Sequence, residues 1–224
     1  MALLNFKRKP VDLVETSPEL ERFLQGYSIE VMPRTAEKIE NFQDILPKGT
    51  RVYIAHIEGT PIEDMVKTAA RLASEGYAVM PHFPARIIKD KATLETWIDM
   101  YQGEAGVNQA LLLAGGVTTP HGDFDSSMQL LETGLFDAKG FTRLHVAGHP
   151  EGNKDIDPDG SRKNVDAALS WKQKFSERTD AKMALATQFA FEAGPIMSGQ
   201  MGLRRLALIF PFILGSPGRQ SFRH

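Results

Sequence analysis

Six short apolar runs recur along this chain, and a segment with helical spacing separates most neighbours. They occupy residues 29–32, 52–56, 77–82, 110–116, 144–149 and 183–188. Each run stops at a small cluster of polar residues or glycines. Strands that alternate with helices build a parallel sheet, because each crossover helix packs back onto the sheet it serves. Parallel α/β folds place their chemistry at the carboxyl ends of the strands. The recurrence therefore predicts an α/β fold and nominates a short series of strand-end residues as functional.

The clearest unit spans residues 51–82. A strand ends near His56, and Thr60-Pro61-Ile62-Glu63 predicts a capping box with proline at the first helical position. Ile62, Met65, Val66, Ala69, Ala70 and Ala73 form one apolar face, and Gly76 stands where a helix C-terminal glycine belongs. Further helices are expected over 36–46, 91–102, 125–136 and 163–177, with a long loop at 151–160. A seventh strand is expected at 206–214. A TIM (β/α)8-type barrel needs one more βα unit than this pattern supplies. Residues 1–26 read as an N-terminal helix or extension, and residues 27–224 as the barrel domain.

Composition narrows the function classes. A net charge of −2 offers no field for nucleic acid or an anionic membrane, and the longest apolar run, 206–214, is half a membrane span. Cysteine is absent, which removes thiolate metal sites and cysteine nucleophiles and suits a reducing cytoplasm. The expectation is a soluble, cytoplasmic protein.

Glu30 lies inside an apolar run, where a carboxylate is costly to bury unless it is paired, neutral or facing a cavity; a raised pKa would suit a general acid. His82 ends the third run, and His56 and His149 end others. Three histidines on one rim would suit a metal, but no His-x-His pair or carboxylate cluster accompanies them, so no metal is expected. Gly115-Gly116 would let a ligand approach the backbone, although the G-x-G-x-x-G spacing is missing. Lys174 reads, on its own, as a solvated helix residue. Thr187-Gln188, followed by Phe189 and Phe191, suits recognition of a flat heteroaromatic ring.

Taken in order, these pieces resemble the methylenetetrahydrofolate reductase family across about residues 28–193. The similar elements are Glu30 with Pro33-Arg34-Thr35, Pro81-His82, Val146-Ala147-Gly148-His149-Pro150-Glu151, Trp171-Lys172-Gln173-Lys174 and Thr187-Gln188-Phe189-Ala190-Phe191-Glu192. The resemblance implies a barrel that binds FAD and passes hydride from NAD(P)H to methylenetetrahydrofolate, giving methyltetrahydrofolate. It implies Glu30 as the acid that helps open the folate's imidazolidine ring. It places His82, Gly115, Gly116, Ala147, His149 and Lys174 around FAD, with Gln188 and Phe191 at the pterin.

Three positions depart from the family's pattern: Ala114 and Gly116 stand where Arg and Asp are expected, and Asn153 replaces a His. These departures leave open a non-catalytic folate- or flavin-binding relative, or a partner subunit. A metal-dependent hydrolase using His56, His82 and His149 is a third reading. An incomplete barrel would expose an apolar edge, so self-association into a homo-oligomer is expected.

Overall fold

The computed structural model describes residue 18, residues 25–189 and residues 212–215, with the backbone alone for 188–189 and 212–215. Most of the expected N-terminal helix lies outside these residues. Seven strands form one sheet: β1 (Ser28–Val31), β2 (Arg51–Ile54), β3 (Ala78–Pro84), β4 (Gln109–Leu113), β5 (Arg143–Gly148), β6 (Lys182–Phe189) and β7 (Phe212–Gly215). Every neighbouring pair is parallel, and the strand order follows the chain order. A sheet that always adds its next strand on the same side keeps its crossover helices on one face. That singly wound order is compatible with part of a TIM-like barrel. Among the described residues β1 does not pair with β7.

The helices are α1 (Pro33–Ala36), α2 (Ile62–Ser74), α3 (Lys91–Ala105), α4 (Ser127–Glu132), α5 (Leu135–Ala138) and α6 (Lys163–Ser176). None of the described helices is long and apolar enough to cross a membrane. Strand side chains alternate between faces. Val52, Ile54, Val79, Phe83, Leu112, Leu144, Val146 and Leu185 face the helices, meeting Met65, Leu72, Leu94, Ile98 and Leu130 in the main core. Tyr53, Met80 and Leu111 form a separate cluster on the other face, with Leu113 and Ala186 against it. Phe83 is fully buried and packs ring to ring with Tyr101 at 5.5 Å and Phe136 at 5.3 Å, so β3, α3 and α5 share one aromatic contact.

α2 ends as its sequence predicts. Gly76 has φ 92°, Gly76 N–H donates to the Ala73 carbonyl, and Tyr77 N–H donates to the Leu72 carbonyl. This is a Schellman closure, and it starts β3 almost at once. The expected capping box does not form: Pro61 is the N-cap and contributes no side-chain hydrogen bond. Glu63 and Asp64 in the first turn oppose the positive end of the helix dipole instead.

Two expected helices differ. Residues 36–46 contain only the end of α1 and a 3-10 turn at Phe42–Asp44. The Arg71 guanidinium takes the carbonyls of Ala36, Ile39 and Glu40, at 3.0, 2.5 and 3.0 Å, and sits 5.4 Å from the Phe42 ring centroid. With those acceptors filled from α2, an open loop costs no unsatisfied backbone. The 125–136 helix divides into α4 and α5 at Gly134, whose φ of 70° breaks the helical path.

Candidate functional site

Glu30 near the end of β1 and His82 on β3 meet across β2. Glu30 Oε2 lies 3.3 Å from His82 Nε2, a close but poorly aligned contact. The His82 side chain is 10% exposed and that of Glu30 58%. Hydrogen bonding to His82 is the largest influence on Glu30; it outweighs burial and holds the carboxyl below its usual value. The raised pKa that would suit a general acid is not found in the free protein. Glu30 is half-exposed and paired, so its charged form is favoured.

Behind this pair, Tyr53 stands edge-on to His82, with ring centroids 6.2 Å apart. Its hydroxyl lies 2.7 Å from His145 Nδ1. Burial pushes the Tyr53 phenol up to about 12. Burial, with the charges of Arg51 and Arg143, pushes His145 down to about 3. Tyr53 therefore donates to a neutral imidazole, whose Nε2 is buried without a partner. His56 faces Trp97 at 4.8 Å, its Nε2 lies 3.0 Å from the Thr60 carbonyl, and its Nδ1 is likewise buried without a partner.

Arg86, just after β3, ties the next two strand-end loops together. Its side chain is 14% exposed. Nε donates to Asp125 Oδ1 at 2.8 Å; Nη1 donates to Asp155 Oδ2 at 3.0 Å and to the Val117 carbonyl at 3.2 Å. The loop after β4 also folds tightly under the chain: a Cβ at Gly122 would overlap the Lys89 carbonyl.

Gly115 and Gly116 begin that loop. Gly115 has φ 101°, and a Cβ there would stand 3.1 Å from Pro84 Cβ, so strand packing already explains this glycine. Gly116 faces open space. The Ala114 backbone carbonyl accepts from Arg86 N–H.

At the end of β5, His149 Nδ1 is 3.3 Å from Asn153 Nδ2. Burial, then the charge of Lys172, pushes His149 down. Lys174 is exposed. Lys172, two residues earlier on α6, is the lysine that turns inward, and its Nζ donates to the Ala147 carbonyl at 2.7 Å. Burial pushes its ammonium down to about 8. A cavity of about 40 Å³ lies here, lined by Ala147, Gly148, His149, Ile156, Arg162 and Lys172 among others. It has room for a water or two or a very small ligand, not for an isoalloxazine ring.

Gln188 lies on β6 by its backbone; its side chain and Phe191 fall outside what is described. The structure thus brings Glu30 and His82 together, and Ala147 and His149 together. It does not gather His56, His82 and His149: no metal-competent group of three or more His, Asp or Glu exists among the described residues.

Sequence reasoning missed Tyr53, His145, Arg86 and Lys172. His145 carried a usable signal, a polar residue inside an apolar run like Glu30. Lys172 carried another: Val165, Leu169, Lys172 and Phe175 lie at helical spacing on one face, while Lys174 lies off it. No family model matches this sequence.

Proposed function

We propose that this chain is a flavin-dependent reductase of the methylenetetrahydrofolate reductase type. In this reading it reduces methylenetetrahydrofolate with NAD(P)H in cytoplasmic one-carbon metabolism. The observation that carries the reading is the Glu30–His82 contact. Two separated pieces of the ordered sequence resemblance meet at one end of a parallel sheet, where such folds do chemistry. The buried, unpartnered Nδ1 of His56 is a polar atom suited to a bound ligand.

FAD, when bound, would supply hydride transfer between nicotinamide and folate. His82, Gly116 and the β5 end at Ala147 and His149 would hold it. Glu30 would deliver a proton to the folate's imidazolidine ring. It is charged in the free protein, so a ring seated over the pair would have to exclude water and lift the carboxyl toward its protonated form. A full (β/α)8 closure and assembly as a homo-oligomer belong to the same proposal.

The absorbance spectrum of purified protein tests it: a flavin band is expected, and a colourless protein that gains none on reconstitution overturns it. Glu30→Gln is expected to cut folate turnover about a hundredfold or more while leaving NADH-to-flavin transfer largely intact. Equal loss of both half-reactions would remove Glu30 from the acid role. Ala114 and Gly116 favour one second reading, a relative that binds flavin or folate without turnover; folate binding by calorimetry with no reduction would select it.

A further inference from the structure

The Lys172 amine is buried, and among the described residues the fold supplies it no counter-charge. It projects from α6 toward the end of β5, where one backbone carbonyl, that of Ala147, is its hydrogen-bond partner. The cavity beside it has walls from Gly148, His149, Pro150, Ile156, Arg162, Leu169 and Leu185, and no carboxylate among them. The charged groups around it are unfavourable to an ammonium or already engaged. Arg162 donates to the Pro150 carbonyl and to Asp166, and His149 from the β5 loop is pushed toward its neutral form. Asp157, in the same loop, spends its carboxylate on the Asn164 and Val165 N–H groups at the start of α6. A lysine so placed lacks what usually keeps a buried ammonium charged, and it faces a space that admits only a small molecule.

We propose that Lys172 is a nucleophilic amine that forms an imine with aldehydes of one or two carbons. The nitrogen lone pair attacks the carbonyl carbon and forms the C–N bond. The carbonyl oxygen takes up a proton, and the resulting carbinolamine loses water to leave the C=N bond. No oxidant or reductant is required. His149 lines the same cavity and is the group placed to pass the proton between nitrogen and oxygen. The cavity of about 40 Å³ favours a one- or two-carbon aldehyde over an aromatic one. The depressed ammonium, near 8, agrees with the geometry. This inference is independent of the flavin reading and survives its failure.

The test is reductive labelling of the whole native chain with acetaldehyde and cyanoborohydride at pH 7.5, with each lysine followed by peptide mass spectrometry. Lys172 is expected to label about tenfold or more faster than exposed Lys174, because burial leaves a sizeable fraction of it unprotonated at this pH. Its rate should level off above about pH 8. Pyridoxal phosphate under the same conditions should reverse the order. The proposal is overturned if Lys172 trails Lys174 with acetaldehyde while circular dichroism shows the fold intact. It is equally overturned if both aldehydes label Lys172 alike, since the cavity would then not select by size.

Discussion

Replacing Lys172 with methionine should make this protein more stable at neutral pH. The side chain is buried, touches one acceptor, and has no carboxylate lining its cavity. A fall from 10.5 to about 8 corresponds to about 3 kcal/mol of penalty on the ammonium in the folded chain. Methionine keeps much of the length and removes the charge, but it leaves the Ala147 carbonyl without its donor, which costs about 1–2 kcal/mol. The expected net gain at pH 7 is about 1–2 kcal/mol. The pH dependence is the sharper readout. Folded Lys172 loses its proton near pH 8 and the unfolded residue near 10.5, so between these values the unfolded chain binds more protons. Wild-type stability therefore gains a contribution of up to about 3 kcal/mol as pH rises through that window, and the variant lacks it. Urea denaturation followed by the fluorescence of Trp97 and Trp171 measures both proteins at pH 7 and pH 10. A variant destabilised by more than about 1 kcal/mol at pH 7, or one with the wild-type rise, would refute the burial argument.

Gly122→Ala should lower stability by about 2 kcal/mol or more, because its Cβ meets backbone that cannot yield without shifting the loop; an unchanged thermal midpoint would contradict this. Tyr53→Phe removes the partner of His145 Nδ1 and should cost about 1–3 kcal/mol in urea denaturation. In wild type, folded His145 protonates near pH 3 and the unfolded residue near 6.5, so its contribution to stability is lost as pH falls through that window; an NMR titration of His145 inflecting near 6.5 would exclude it. Arg86→Ala frees Asp125, Asp155 and the Val117 carbonyl, and limited proteolysis should then cut the loops after β4 and β5 first. Equal protease resistance would show that Arg86 does not hold them.

The parallel sheet was legible because period-2 apolar runs and 3.6-residue stripes are written in consecutive residues. Ile62 to Ala73 needed only its own spacing to declare α2, and Gly76 its own φ freedom to end it. The Glu30–His82 contact was legible only in part: the sequence marked Glu30 inside the first run and His82 at the end of the third, but did not pair them. The segment 36–46 misled for a long-range reason: Ile39, Phe42, Ile45 and Leu46 have helical spacing, but Arg71, more than thirty residues away, claims the carbonyls a helix would use.

By itself, the sequence determined the alternation of strand and helix and the strand ends at which polar groups would collect. These follow from local periodicity and from the packing of each crossover on its own sheet. Tertiary structure alone decided the state of those groups. Glu30 is held charged by a residue two strands away, and Lys172 rather than Lys174 turns inward because α6 presents that face to β5 and β6. Burial and partner charges set a proton's free energy, and both depend on neighbours that no local spacing specifies.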